Sequence, residues 1–159
     1  GAFNIGSTED PVYGLGEMAT RSPTVFNWFA PAYVPPGTSI SQAGLVAPEM
    51  QITNVSTVVG YLNYMQYSIA ADSQNGSDIN SSYAAETALA ANPDQLLDRI
   101  NLLLMAGTMD GTLRSQILSA VNSIEIPASG QREINAALTN RAQIAIYLTM
   151  ASPAYNGRF

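Results

Sequence analysis

The chain contains no cysteine, no histidine and no lysine, so several kinds of chemistry have no residue to carry them out. Without histidine there is no Ser-His-Asp triad, no Cys-His pair and no usual zinc site. Without lysine there is no Schiff base and no phosphate-binding loop of the Walker type. Without cysteine there is no disulfide and no thiolate. The chemistry left open is that of carboxylates, tyrosine, serine and arginine, and no cofactor is expected.

Charge is also scarce. Charged residues make up 11% of the 159 residues, the net charge is -6, and all 6 positive charges are arginines. A chain without a basic stripe cannot displace counterions from phosphate, so no nucleic-acid partner is expected. It also lacks the basic cluster that binds an anionic membrane surface. Its apolar runs, such as Leu102–Ala106, fall far short of the roughly 20 residues that span a bilayer, so membrane insertion is not expected.

Residues 1–52 are predicted to form an irregular arm, because glycine and proline recur too often for a long helix or strand. Ser22-Pro23 has the form of a helix start and predicts one or two helical turns through Phe29. An irregular stretch of this length is unusual in a compact domain. We therefore expect the arm to pack against helices of this chain or against another part of a longer protein.

Residues 53–159 are predicted to be helical. Apolar residues recur at spacings of three and four in segments 53–71, 93–107, 110–126 and 131–151, with capping residues and prolines between them. The alanine content of segment 82–91 predicts a further short helix. In the first of these helices the predicted inner face consists of Val55, Val58, Val59, Leu62, Met65, Gln66 and Ile69. Short connections indicate antiparallel neighbours. The sequence thus predicts an all-α fold, an antiparallel helical bundle of about four to five helices with a long irregular N-terminal arm, together one domain.

Few charged residues are candidates for a site. Glu49 precedes a helix and is a candidate general acid or metal ligand. In a composite hydrolase site, Arg21 would be a second candidate. A structural role for Glu49 at the helix N-terminus is favoured. Asp94 and Asp98 lie one turn apart, a spacing that is common on solvated faces. Arg141 lies close to the apolar side of the last helix, and a buried ion pair with Glu49 or another acid is the favoured interpretation.

Three aromatic residues, Trp28, Phe29 and Tyr33, lie between prolines, with Tyr13 and Phe26 nearby. Such residues can stack on sugar rings, so a carbohydrate or cell-wall binding surface is one hypothesis. Their burial is worth about 1.5–3 kcal/mol or more each, so they can equally anchor the arm to the helices or to a missing domain. Anchoring is the favoured interpretation.

The segment 72–78 (Asp-Ser-Gln-Asn-Gly-Ser-Asp) has the composition of a calcium loop. An EF-hand needs glycine at position 6 and glutamate at position 12 of such a loop. Counted from Asp72, those positions hold Ser77 and Tyr83, so the pattern fails. A solvated loop is expected, and no metal site is predicted.

Several segments are similar to the C-terminal region of the bacterial family known as domain of unknown function 1800. In the arm they are 21–29 (Arg-Ser-Pro-Thr-Val-Phe-Asn-Trp-Phe), 33–37 (Tyr-Val-Pro-Pro-Gly) and 44–52 (Gly-Leu-Val-Ala-Pro-Glu-Met-Gln-Ile). The segments 102–107 (Leu-Leu-Leu-Met-Ala-Gly) and 150–155 (Met-Ala-Ser-Pro-Ala-Tyr) resemble the family's closing helices. The resemblance covers about residues 15–157.

This resemblance implies that the chain is the C-terminal part of an exported protein, periplasmic or extracellular, that is several hundred residues long. The missing N-terminal region would then be a partner of this chain. The resemblance brings no activity and therefore no catalytic residues. The expected function is a non-catalytic helical structural or interaction module, and the sequence does not predict its oligomeric state.

Overall fold

A computed structural model describes residues 3–22, 24–25, 27–70 and 78–156, and within them all regular structure is helical. The prediction of an all-α helical fold is confirmed. The only pairing of extended residues in this part of the chain is an isolated bridge between Thr24 and Asn27. The elements in chain order are α1 (Ser39–Gln42), a 3₁₀ helix (Pro48–Ile52), α2 (Val55–Ala70), α3 (Ala84–Leu89), α4 (Pro93–Met105), α5 (Gly111–Asn122), α6 (Gln131–Ala151) and α7 (Pro153–Asn156).

The described residues form two compact units. The first comprises the described residues up to 68 together with residues 78–79, and the second comprises residues 69–70 together with 80–156. The first unit therefore holds α1, the 3₁₀ helix and most of α2. The second holds α3 to α7 and the last two residues of α2.

The second unit is a helical bundle built around α6, which packs against α3, α4, α5 and α7. Helix α4 also contacts α3 and α5. Each large aliphatic side chain buried here stabilises the fold by about 1.5–3 kcal/mol. The buried apolar side chains contributed by α4, α5 and α6 are Leu96, Leu97, Ile100, Met105, Ile117, Val121, Ala137, Ala142, Ala145 and Ile146.

Helix ends follow the capping residues that the sequence contains. The side chains of Asn54, Asn92 and Asp110 each accept a hydrogen bond from a backbone amide in the first turn of α2, α4 and α5. At the C-terminal end of α4, Ala106 and Gly107 both have positive φ, 49° and 80°. These local signals explain why the predicted helix ends agree closely with the structure.

In the first unit, α2 packs against the irregular arm. Gly60 lies directly against the carbonyl oxygens of Pro11 and Gly14, where a Cβ atom would collide with both. Four residues later, the Tyr64 hydroxyl donates a hydrogen bond to the carbonyl of Ile5 at 3.0 Å. The arm thus covers the side of α2 on which Gly60 and Tyr64 lie.

The predicted inner face of α2 is wrong for the first turns of the helix. Val55, Val58 and Val59 are 83%, 46% and 44% exposed. At 3.6 residues per turn they lie opposite Gly60 and Tyr64. The arm packs on the glycine side, because only there can its carbonyl groups approach the helix backbone so closely. In α4, likewise, Leu103 follows the helical apolar spacing of segment 93–107 and yet is 58% exposed.

The helical turns predicted from Ser22 to Phe29 are also wrong for the described residues of that stretch. The Thr24 hydroxyl donates to the carbonyl of Asn27 at 3.0 Å, and the Asn27 amide donates to the carbonyl of Thr24 at 3.1 Å. Asn27 has φ 69°, a left-handed conformation that does not continue a helix. These residues form a turn; Pro23 and Phe26 lie outside the described residues.

Candidate functional site

Two hydrogen bonds hold the aromatic segment 28–33 beside the 3₁₀ helix. The backbone amide of Ala47 donates to the carbonyl of Tyr33 at 2.9 Å. The side-chain oxygen of Gln51 accepts from the amide of Ala30 at 2.6 Å. Because the 3₁₀ helix carries the candidate carboxylate, the aromatic candidates and the carboxylate lie in the same part of the first unit.

The aromatic candidates Trp28, Phe29 and Tyr33 are all half-buried, whereas Tyr13 is 54% exposed. Half-burial removes much of each ring from water and is compatible with the anchoring role. It also leaves part of each ring accessible. Phe26, which the sequence groups with them, lies outside the described residues.

The two charged candidates in this unit are both exposed. Glu49 lies in the first turn of the 3₁₀ helix, and Arg21 follows Thr20, whose φ of 66° is rare for a β-branched residue. Neither makes an ion pair with any residue that the structure describes. A catalytic carboxylate is normally tuned by burial or by a charged neighbour, and the surroundings of Glu49 supply neither.

The ion pairs of the second unit join neighbouring helices. Arg114 of α5 contacts Asp94 at 3.1 Å and Asp98 at 2.9 Å, and both carboxylate side chains are 71% exposed. Arg99 of α4 contacts Glu86 of α3 at 2.6 Å. The two aspartates therefore lie on a solvated face, as their spacing predicts. The exposed pairs of Arg114 with these aspartates contribute little to stability, about 0–1 kcal/mol each.

Neither a metal site nor a membrane span is found in the described part of the chain. No three or more Asp or Glu residues there are grouped so that they could hold a metal ion. The loop with calcium-like composition lies outside the described residues except for Asp78. No described helix combines the length and the apolar character that crossing a membrane requires.

Arg141 has partners that the sequence did not predict. It is only 8% exposed. Its Nε donates to the carbonyl of Ile124 at 2.8 Å and its Nη1 to the carbonyl of Ala90 at 3.3 Å. These carbonyl groups lie at or just beyond the C-terminal ends of α5 and α3, where the helix dipole is negative. Among the described residues no carboxylate pairs with Arg141, so the expected ion pair is replaced by carbonyl groups.

A group of exposed aliphatic side chains adjoins the aromatic segment. Val34, Leu45 and Val46 are 39%, 59% and 55% exposed, and they flank the hydrogen bond between Tyr33 and Ala47. We call these three side chains the apolar patch. Sequence reasoning missed it because the residues lie in loops, where no periodicity marks a face. The available signal was the pair of aliphatic residues at 45–46 in a stretch without helical spacing.

Exposed apolar side chains, including those of the apolar patch, are much more frequent in the first unit than in the second. Among the described residues, the buried apolar side chains of the first unit are few: Pro35, Ala47 and Tyr64. Apart from Leu102 and Leu103, the exposed large apolar side chains that the structure describes lie in the first unit. They are Phe3, Ile5, Val12, Tyr13, Val25, Val34, Leu45, Val46, Val55, Val58 and Val59.

The family described as "Protein of unknown function (DUF1800)" matches residues 4–157, nearly the whole chain. No curated protein and no solved structure matches the chain.

Proposed function

Since the chain belongs to the DUF1800 family, whose description states no activity, we propose from the structure that it is a non-catalytic helical module that binds a protein partner. The binding surface is formed by apolar side chains of the first unit. The apolar patch of Val34, Leu45 and Val46 is its best-defined part, because hydrogen bonds of the surrounding backbone fix its position.

The observation that carries this proposal is that, among the described residues, eleven of the thirteen exposed large apolar side chains lie in the first unit. Soluble monomers rarely expose contiguous apolar areas above a few hundred Å². Covering one aliphatic side chain completely is worth about 1.5–3 kcal/mol. A partner that covers several of these side chains therefore gains substantial binding free energy. Among the described residues of the second unit, only Leu102 and Leu103 are exposed large apolar side chains.

The partner that we propose is the N-terminal region of the same, longer and exported polypeptide. Low charge supports this proposal, because charged residues are depleted at the centre of protein interfaces, and this chain has only 11% charged residues. The hydrolase hypothesis has less support, because Glu49 is exposed and has no charged partner among the described residues.

The proposal is tested by measuring the affinity of the chain for the separately produced N-terminal region by calorimetry. Replacing Leu45 and Val46 with serine is expected to weaken binding about 30-fold, since each half-exposed side chain contributes about 1 kcal/mol on burial. Circular dichroism should show unchanged helix content, because both residues lie outside the helices.

The matched control replaces Leu102 and Leu103 with serine, because these side chains are similarly exposed but belong to the second unit. This control should bind as the unaltered chain does. The proposal fails if the two chains do not associate at about 50 µM, or if the two double variants weaken binding equally.

A further inference from the structure

The first part of the arm, residues 3–17, combines exposed apolar side chains with carboxylates; we call it the acidic loop. Its exposed large apolar side chains are Phe3, Ile5, Val12 and Tyr13. Its acids are Glu9 and Asp10, which are exposed, and Glu17, which is half-buried. No basic residue occurs in residues 3–17. The loop therefore presents apolar surface and negative charge together.

Hydrogen bonds fix two carboxylates beside the apolar side chains of the acidic loop. The Asp10 carboxylate accepts from the backbone amides of Val12 and Tyr13 at 2.6 and 3.0 Å. The carboxylate of Asp78, in the same unit, accepts from the amide of Asn4 at 2.7 Å. Asn4 itself lies between two of the exposed apolar residues. The negative charges thus have fixed places at the edge of the exposed apolar surface.

The negative charge of the first unit has no counterpart within that unit. Its described residues include five acids and one arginine, a net charge of -4; they are Glu9, Asp10, Glu17, Glu49, Asp78 and Arg21. The ion pairs that the structure describes all join residues of the second unit. The carboxylates of the acidic loop therefore remain without an opposite charge in the described part of the chain.

Arginine and lysine side chains suit both features of this loop. Their aliphatic stems cover apolar surface while the charged heads reach carboxylates. A cation is also attracted to the face of an aromatic ring such as that of Tyr13. A partner surface without cations would remove water from the carboxylates and offer no opposite charge in return, which opposes binding.

We propose that the partner covers the acidic loop with a basic surface, on which arginine or lysine side chains surround an apolar centre. This inference rests on the proposed function and adds to it the charge of the partner surface. Charges at the edge of an interface act mainly on the rate of association and on its dependence on salt. Dissolved salt screens such charges, whereas it does not screen apolar contacts.

The test measures the association rate constant of the chain with the separately produced N-terminal region by stopped-flow fluorescence. Between about 20 mM and about 500 mM NaCl the rate constant should fall at least about tenfold. Glu9→Arg should lower it at least about threefold in the dilute salt and hardly at all in the concentrated salt. Glu9→Gln, which only removes the charge, should have about half the effect on the logarithm of the rate constant.

The matched control is Glu125→Arg, which makes the same change of charge at an exposed acid of the second unit. It should alter the rate constant by less than about 1.5-fold. A rate constant that does not fall with salt overturns the inference, as do equal effects of the two arginine variants. If binding then still depends on Leu45 and Val46, the proposed function stands without the basic surface. Absence of any association overturns both.

Discussion

Arg141 shows at the scale of one residue what a sequence reveals and what it omits. Its place near the apolar side of the last helix was predictable from helical spacing, and the residue is buried. Its partners were not predictable, because main-chain carbonyls at helix ends have no residue-type signature. Two carbonyl groups there, Ile124 and Ala90, accept its hydrogen bonds and offset its charge.

Replacing Arg141 with methionine keeps most of the apolar stem and removes the guanidinium. We expect the free energy of unfolding to fall by about 1–3 kcal/mol, because the buried carbonyl of Ala90 and the partly buried carbonyl of Ile124 lose their donor. Urea titration measures this change. Arg132→Met on the exposed side of α6 is the matched control and should shift the free energy by less than about 0.5 kcal/mol. Equal effects at both positions would contradict the assigned role.

At the scale of elements, the existence and the ends of the long helices were predictable from the sequence. Which side of α2 is buried was not predictable. Helix ends depend on local groups such as the side chains of Asn92 and Asp110. Which side of a helix is buried depends on what packs against it. Val55, Val58 and Val59 have the same spacing whether that side is buried or exposed. The side of α2 that the arm covers contains Gly60. In a sequence, a glycine within a helix indicates only a weak helix former.

Gly60→Ala tests how the arm packs on α2. The added Cβ would collide with the backbone carbonyls of Pro11 and Gly14, so the arm must move away. We expect the Leu15 amide, which bonds to the Thr8 carbonyl at 2.8 Å, to exchange its hydrogen at least about tenfold faster. NMR-detected hydrogen exchange measures this rate.

The control is Gly111→Ala in α5, where a Cβ would meet nothing within 4 Å. It should leave the exchange of the arm unchanged and stabilise the chain by about 0.5–1 kcal/mol, because alanine is the better helix former. If Gly60→Ala left the Leu15 amide as slow as before, the close approach of arm and helix would not depend on the missing side chain.

At the scale of the whole molecule, the described residues divide into two units that differ in how many large apolar side chains they bury. Most of the buried ones lie in the second unit, and most of the exposed ones lie in the first. The all-α fold followed from helical spacing, caps and prolines in the sequence. The imbalance between the units did not, because an apolar fraction of 47% counts side chains without telling which of them the chain itself can cover. In the second unit α6 supplies the cover; in the first, most large aliphatic side chains remain exposed.

The most direct test of a partner-covered first unit is hydrogen exchange followed by mass spectrometry, on the chain alone and mixed with the proposed N-terminal region. Peptides from residues 33–59 should exchange at least about tenfold more slowly in the mixture, while peptides from α4 and α5 should keep their rates. Unchanged exchange in residues 33–59 under conditions of binding, or slowing confined to the surface around Leu102 and Leu103, would contradict the account.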